Sequence, residues 1–114
     1  MAIEHSNDYS KIVDDPNKML GAKWFPGVQM NYAENLLRIR TEKPAIYFKN
    51  ENNTTKVLSF KELFNSVEKL VSALKNIGIE SGDRVAGFVP NIPETVIAML
   101  SAATNGCIWS SSSP

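Results

Sequence analysis

The chain has 114 residues, 43% of them apolar and 21% charged, with a formal net charge of zero. That length suits one small domain and is too short for two. The neutral balance gives no electrostatic support for nucleic-acid or acidic-membrane partners, which rely on clustered Lys and Arg. A lone cysteine, Cys107, and a lone histidine, His5, exclude an internal disulfide and any Cys/His metal spacing.

Residues 1–23 are polar and without sustained periodicity, and are expected to form a surface arm with turn chemistry at Asp14-Asp15-Pro16-Asn17. The start lacks the basic and apolar regions of a signal peptide, and no apolar run approaches the roughly 20 residues that span a bilayer. With one cysteine, this sets the expectation of a reduced, cytoplasmic setting. Trp24-Phe25-Pro26-Gly27 then places two large aromatics before a turn, as an anchor for the arm or as a pocket wall. Residues 24–114 are expected to form an incomplete α/β subdomain.

Asn31 with Glu34 has capping-box spacing and predicts a short helix through about Arg40, with Leu36, Leu37 and Ile39 supplying contacts. The nearby Arg38, Arg40 and Lys43 are interrupted by Thr41 and Glu42 and read as a solvated helix end. Pro44–Phe48 and Lys56–Ser59 flank the polar loop at Asn50–Thr54 and predict a β-hairpin. The two overlapping sequons in that loop read as a polar turn.

Ser59 and Glu62 form a second capping box. After it Leu63, Phe64, Val67, Leu70, Val71, Leu74 and Ile77 fall on one helical stripe, ending at Gly78. Each of these side chains contributes about 1.5–3 kcal/mol if fully buried, so the helix is expected to cover a sheet. Arg84–Val89 is nearly continuous in apolar character and predicts an interior parallel strand covered on both faces. Asn91 and Glu94 suggest a third capping box with Pro93 in the first turn. The helix through Ala103 is apolar almost all round and is expected to be heavily buried. Asn105-Gly106 ends it, and Cys107-Ile108-Trp109 opens another strand. No following crossover appears before Pro114, so the segment reads as the opening of a larger α/β domain. Its fold class is part of a layered, mostly parallel sheet with flanking helices, preceded by an irregular arm and a hairpin.

Few residues carry chemistry. The glycines at 78, 82 and 87 are spaced too widely for a dinucleotide fingerprint, and neither a phosphate loop nor a nucleophile elbow is present. Cys107 opens an apolar strand and reads as a small hydrophobe. His5 lies in the polar arm. Ser110, Ser111, Ser112 and Ser113 follow the last predicted strand, at the carboxyl end where open α/β sheets place ligands. They suit either a pocket or channel loop or a solvated turn, and Trp109 suits either core or pocket wall. No catalytic residue and no metal ligand is assigned.

Trp24-Phe25-Pro26-Gly27 and Asn31-Tyr32-Ala33-Glu34-Asn35-Leu36-Leu37 resemble the N-terminal segment of acetoacetyl-CoA synthetases. So do Gly82-Asp83-Arg84-Val85-Ala86-Gly87, Pro90-Asn91-Ile92-Pro93-Glu94 through Ala98-Met99-Leu100, and Gly106-Cys107-Ile108-Trp109-Ser110-Ser111 to Ser113-Pro114. The Gly-Asp-Arg-Val and Pro-Glu elements occur widely in acyl-adenylate-forming enzymes; the Asn-Tyr-Ala-Glu-Asn-Leu-Leu and Trp-Ser-Ser elements are more specific to the acetoacetate branch. Ser112 stands where many relatives carry Cys.

The resemblance implies an acid–CoA ligase of lipid or ketone-body metabolism. Such an enzyme joins acetoacetate to ATP with Mg2+, releasing pyrophosphate, and then passes the acyl group from AMP to CoA. It also implies that the phosphate loop, the adenine site and the catalytic lysine lie downstream of Pro114, leaving this stretch as scaffold that binds none of these molecules tightly. Two alternatives stay open: a parent enzyme acting on acetate or another short acid, and a non-catalytic binding or interaction module.

Overall fold

A computed structural model describes residues 3–114, so positions 1 and 2 of the expected arm lie outside the described residues. The chain divides into two compact units, one ending at Asn31 and one spanning Tyr32–Pro114.

The first unit is organised by local polar chemistry. Val13 and Trp24 form an isolated antiparallel bridge. The Phe25 N–H donates to the Ile12 carbonyl at 2.8 Å, and the Asp14 N–H to that of Lys23 at 3.1 Å. Asp14 Oδ1 accepts from the backbone of Lys23 at 2.9 Å and of Asp15 at 2.7 Å. Those donors, led by Lys23, hold its carboxyl below the usual carboxylate range. The Tyr9 and Phe25 rings meet edge to face at 5.2 Å. Trp24 remains 63% exposed.

The second unit runs α1 (Tyr32–Leu37), β1 (Pro44–Lys49), β2 (Thr55–Ser59), α2 (Phe60–Asn76), β3 (Arg84–Phe88), α3 (Pro93–Thr104) and β4 (Ile108–Ser112). As expected, β1 and β2 form an antiparallel hairpin, with Ile46 opposite Leu58 and an irregularity between Pro44 and Ile46. Asn50 builds its turn: the side-chain oxygen accepts the Thr54 N–H at 2.8 Å, while the Asn50 carbonyl accepts that of Asn53 at 3.1 Å.

Helix α1 stops at Leu37, short of the expected Arg40. The residues after it peel away to serve α2, whose first N–H groups have no partner inside their own helix. The Thr41 and Lys43 carbonyls accept from Lys61 and Phe60 at 3.1 and 3.0 Å. The Arg40 guanidinium lies over the Phe64 ring, 3.7 Å from its centre. Leu36 and Ile39 are exposed, and the buried residues of α1 are Ala33 and Leu37, one turn apart.

The Ser59–Glu62 capping box forms as predicted. The Ser59 N–H donates to Glu62 Oε2 at 2.8 Å, and the Glu62 N–H to Ser59 Oγ at 3.2 Å. Ser59→Ala is expected to cost about 0.5–2 kcal/mol, read as a lower urea midpoint. The Ser59 backbone N–H first, and then the Ser59 hydroxyl, 3.0 Å from Glu62 Oε2, hold the Glu62 carboxyl below its ordinary 4.5. The Lys56 ammonium, 2.8 Å from Glu94 Oε1, does so for Glu94. Both carboxyls are depressed in the folded state, so their stabilisation is complete above pH 4.5 and is lost as pH falls through the lower folded values. An acid titration of stability should show that loss, and Ser59→Ala, which removes the hydroxyl but keeps the backbone donor, should remove only part of the Glu62 share.

The stripe of α2 does not mainly face a sheet. The core is Ala33, Leu37, Leu63, Val67 and Leu100, so α2 packs chiefly on α3, with α1 and the hairpin, through Ala45 and Ile46 of β1, at its margins. Buried Ser101 lets α2 and α3 approach closely: its Oγ donates to Ile97 O at 2.7 Å and lies 3.3 Å from Val67 O. The stripe runs out of partners toward its end, where Ile77 is 75% exposed. Gly78 takes the expected left-handed conformation, with φ +89°.

β3 pairs in parallel with β4, and α3 makes the connection between them. Among the described residues β3 is covered on one face only. Exposed Arg84, Ala86 and Phe88 alternate with half-buried Val85 and Gly87, and β4 is the one strand beside it among the described residues. No described helix is long and apolar enough to cross a membrane.

Candidate functional site

Where β3 and β4 end, the β3–α3 connection and the start of α3 come together through the parallel crossover. The expected capping box at Asn91 does not form. Ile92 is the N-cap residue, without a side-chain hydrogen bond, and Pro93 opens the helix as predicted. The Glu94 carboxylate is instead taken by Lys56 of β2, 38 residues earlier in the chain. The Thr95 hydroxyl turns back to the Pro90 carbonyl at 2.7 Å and closes the connection.

The serines lie differently from the sequence reading. Ser110, Ser111 and Ser112 are inside β4, opposite Ala86, Gly87 and Phe88, and Ser113 alone follows it. Backbone pairing explains the extra length, since the ladder is indifferent to hydroxyl side chains. It continues to the Val89 N–H, which donates to the Ser112 carbonyl at 3.0 Å. All four serines are exposed. They offer hydroxyls that donate and accept, but no group that titrates near neutrality. The arrangement can orient a polar ligand; general acid–base work needs other residues.

Trp109 is half-buried opposite Val85. Its ring crosses to the neighbouring position, so that a Cβ at Gly87 would lie 2.8 Å from Trp109 Cη2 and 3.2 Å from Val89 Cγ2. A lone glycine inside a strand pattern signals such a close approach, and that signal was legible but unused. Gly87→Ala should displace the indole at a cost of about 1–3 kcal/mol. A shifted Trp109 emission in a Trp24→Phe background, with a lower urea midpoint, checks this.

The other candidates stay apart from chemistry. Cys107 is half-buried, with Sγ 3.4 Å from the Glu80 carbonyl, as a weak donor. His5, in the first unit, contacts the Asn7 carbonyl through Nδ1 at 2.9 Å. Among the described residues no three His, Cys, Asp or Glu side chains cluster as a metal site would need.

Residues 34–114 match the AMP-binding enzyme family, and the chain belongs to it. Within that family it is similar to acetoacetyl-CoA synthetases. It is 44% identical over 104 residues to the acetoacetyl-coenzyme A synthetase of Rhizobium meliloti, across 91% of this chain and 16% of that protein. It is 42% identical over 116 residues to the acetoacetyl-CoA synthetase of Xenopus tropicalis, across 98% of this chain and 17% of that one. The solved acetoacetyl-CoA synthetase of Streptomyces lividans superposes with a TM-score of 0.88 at 37% identity, over 98% of this chain and 18% of that one. The chain thus spans about a sixth of the length of the curated relatives it matches.

Proposed function

We propose that this chain is a scaffold segment of an ATP-dependent, AMP-forming acetoacetate–CoA ligase. The observation that carries the reading is the superposition, over nearly its whole length, on the Streptomyces lividans acetoacetyl-CoA synthetase. In the proposed reaction an acetoacetate carboxylate oxygen attacks the α-phosphorus of ATP, pyrophosphate leaves, and the CoA thiol then displaces AMP from the acyl-adenylate. The residues present do not supply a metal site among those described, so the magnesium that accompanies ATP is assigned to none of them.

The role of this segment is structural. Its core side chains go into helix packing, and Trp109 with Ser110–Ser113 form a candidate wall of a substrate or CoA channel at the strand ends. A cytoplasmic setting fits the single cysteine of this stretch.

The test is ATP–pyrophosphate exchange by the complete enzyme with acetoacetate, acetate and other short acids. Acetoacetate should drive exchange best, and a clear preference for acetate would move the assignment to a short-chain acyl-CoA synthetase. Residues 1–114 alone should give no exchange; acetoacetate-dependent exchange by that piece would refute the scaffold role.

A further inference from the structure

Asn105-Gly106, at the end of α3, is the sole Asn-Gly pair in the chain. Asparagine is a thermolabile residue, and a following glycine, having no Cβ, leaves the approach to its side chain open. The backbone nitrogen of Gly106 can attack the side-chain carbonyl carbon of Asn105. As the new N–Cγ bond forms, the Cγ–Nδ2 bond breaks, and the Gly106 amide proton leaves with that nitrogen as ammonia. Water then opens the cyclic imide on one side or the other, giving aspartate or isoaspartate.

The folded chain holds these atoms apart. Asn105 has φ −79° and ψ 0°, which turns the next nitrogen away from its own side chain. The Gly106 N–H is engaged with the Ala103 carbonyl at 3.0 Å, and the Asn105 N–H with that of Ser101 at 3.2 Å. Ring closure requires rotation about ψ of Asn105 and loss of the Gly106–Ala103 bond, which means opening the last turn of α3.

The same residue makes the product unwelcome. Both polar atoms of the Asn105 side chain are buried without a hydrogen-bond partner among the described residues. A carboxylate there would be a buried charge without compensation, at a far higher cost than the amide. Isoaspartate would add a methylene to the backbone just before the Gly106 carbonyl, which accepts the Gly82 N–H at 3.0 Å.

We propose that Asn105-Gly106 is a deamidation site gated by the fold. It is silent while the end of α3 is closed and reactive once that turn opens, and the product then prevents reclosure.

The protein at its full encoded length would be held at mildly alkaline pH, with and without denaturing urea, and Asn105 conversion followed by peptide mass spectrometry. A synthetic peptide spanning residues 101–110 gives the unprotected rate. The native protein should convert at least about ten-fold more slowly than the peptide, and the unfolded protein at the peptide's rate. Equal rates in native and unfolded protein would overturn the gating, and no conversion in urea would overturn the site. Asn105→Asp should lower the urea midpoint or fail to fold, while Asn105→Leu, which removes the unpaired amide, should hold the wild-type midpoint. An Asn105→Asp variant as stable as wild type, or an Asn105→Leu variant well below it, would overturn the trap.

Discussion

Leu100→Ala is expected to destabilise the domain by about 2–5 kcal/mol, the range for a leucine truncated in a close-packed interior. Leu100 is 2% exposed and belongs to the cluster in which α1, α2 and α3 meet, with Ala33, Leu37, Leu63 and Val67. The lost transfer energy is joined by a cavity term, because surrounding side chains in a packed interior relax only partly. Leu100→Met keeps the volume and should cost less than about 1.5 kcal/mol. Urea unfolding of the two variants checks the claim. A Leu100→Ala midpoint equal to that of Leu100→Met would mean that α3 is not seated in this core.

Gly106→Ala comes next, at about 1–3 kcal/mol from two separable causes. The backbone at Gly106 has φ +73°, where a Cβ is strained whatever space surrounds it. That Cβ would also lie 2.5 Å from Ser81 Oγ and 3.2 Å from Ser81 Cβ. Adding Ser81→Gly should relieve the collision but not the dihedral strain, so the double variant should recover only part of the loss. Full recovery would show that the left-handed conformation costs nothing here.

What was legible in the sequence divides by the range of the interactions. The Ser59–Glu62 box closes within four consecutive positions, and it formed as written in the chain. The hairpin was equally plain, since turn residues are a local signal; α3, expected to be heavily buried, buries Pro93, Leu100, Ser101 and Ala102 and leaves Val96, Ile97 and Met99 half-buried. The box at Asn91–Glu94 was equally plausible on paper, yet Glu94 found Lys56, a partner that proximity in sequence does not reveal. Ala33 and Ser101 are both fully buried, but small residues leave no mark on an apolar stripe. The end of α1 was set by the needs of another helix. At the candidate site, chain order alone placed Trp109 and the serines near the strand ends. The extent of β4 depended on a backbone ladder that side-chain polarity does not report. The fate of the α2 stripe was misread because helices and sheets offer equally apolar surfaces.

That α2 is sheltered by α3 has a consequence for synthesis on the ribosome. The hairpin and α1 emerge before α2 and cover only part of its stripe, so the α3-facing side of Leu63 and Val67 stays open until translation has passed Leu100 and the exit tunnel has released it. Over that interval the nascent helix carries a half-covered oily seam, an adhesive surface for holdase chaperones and for neighbouring nascent chains.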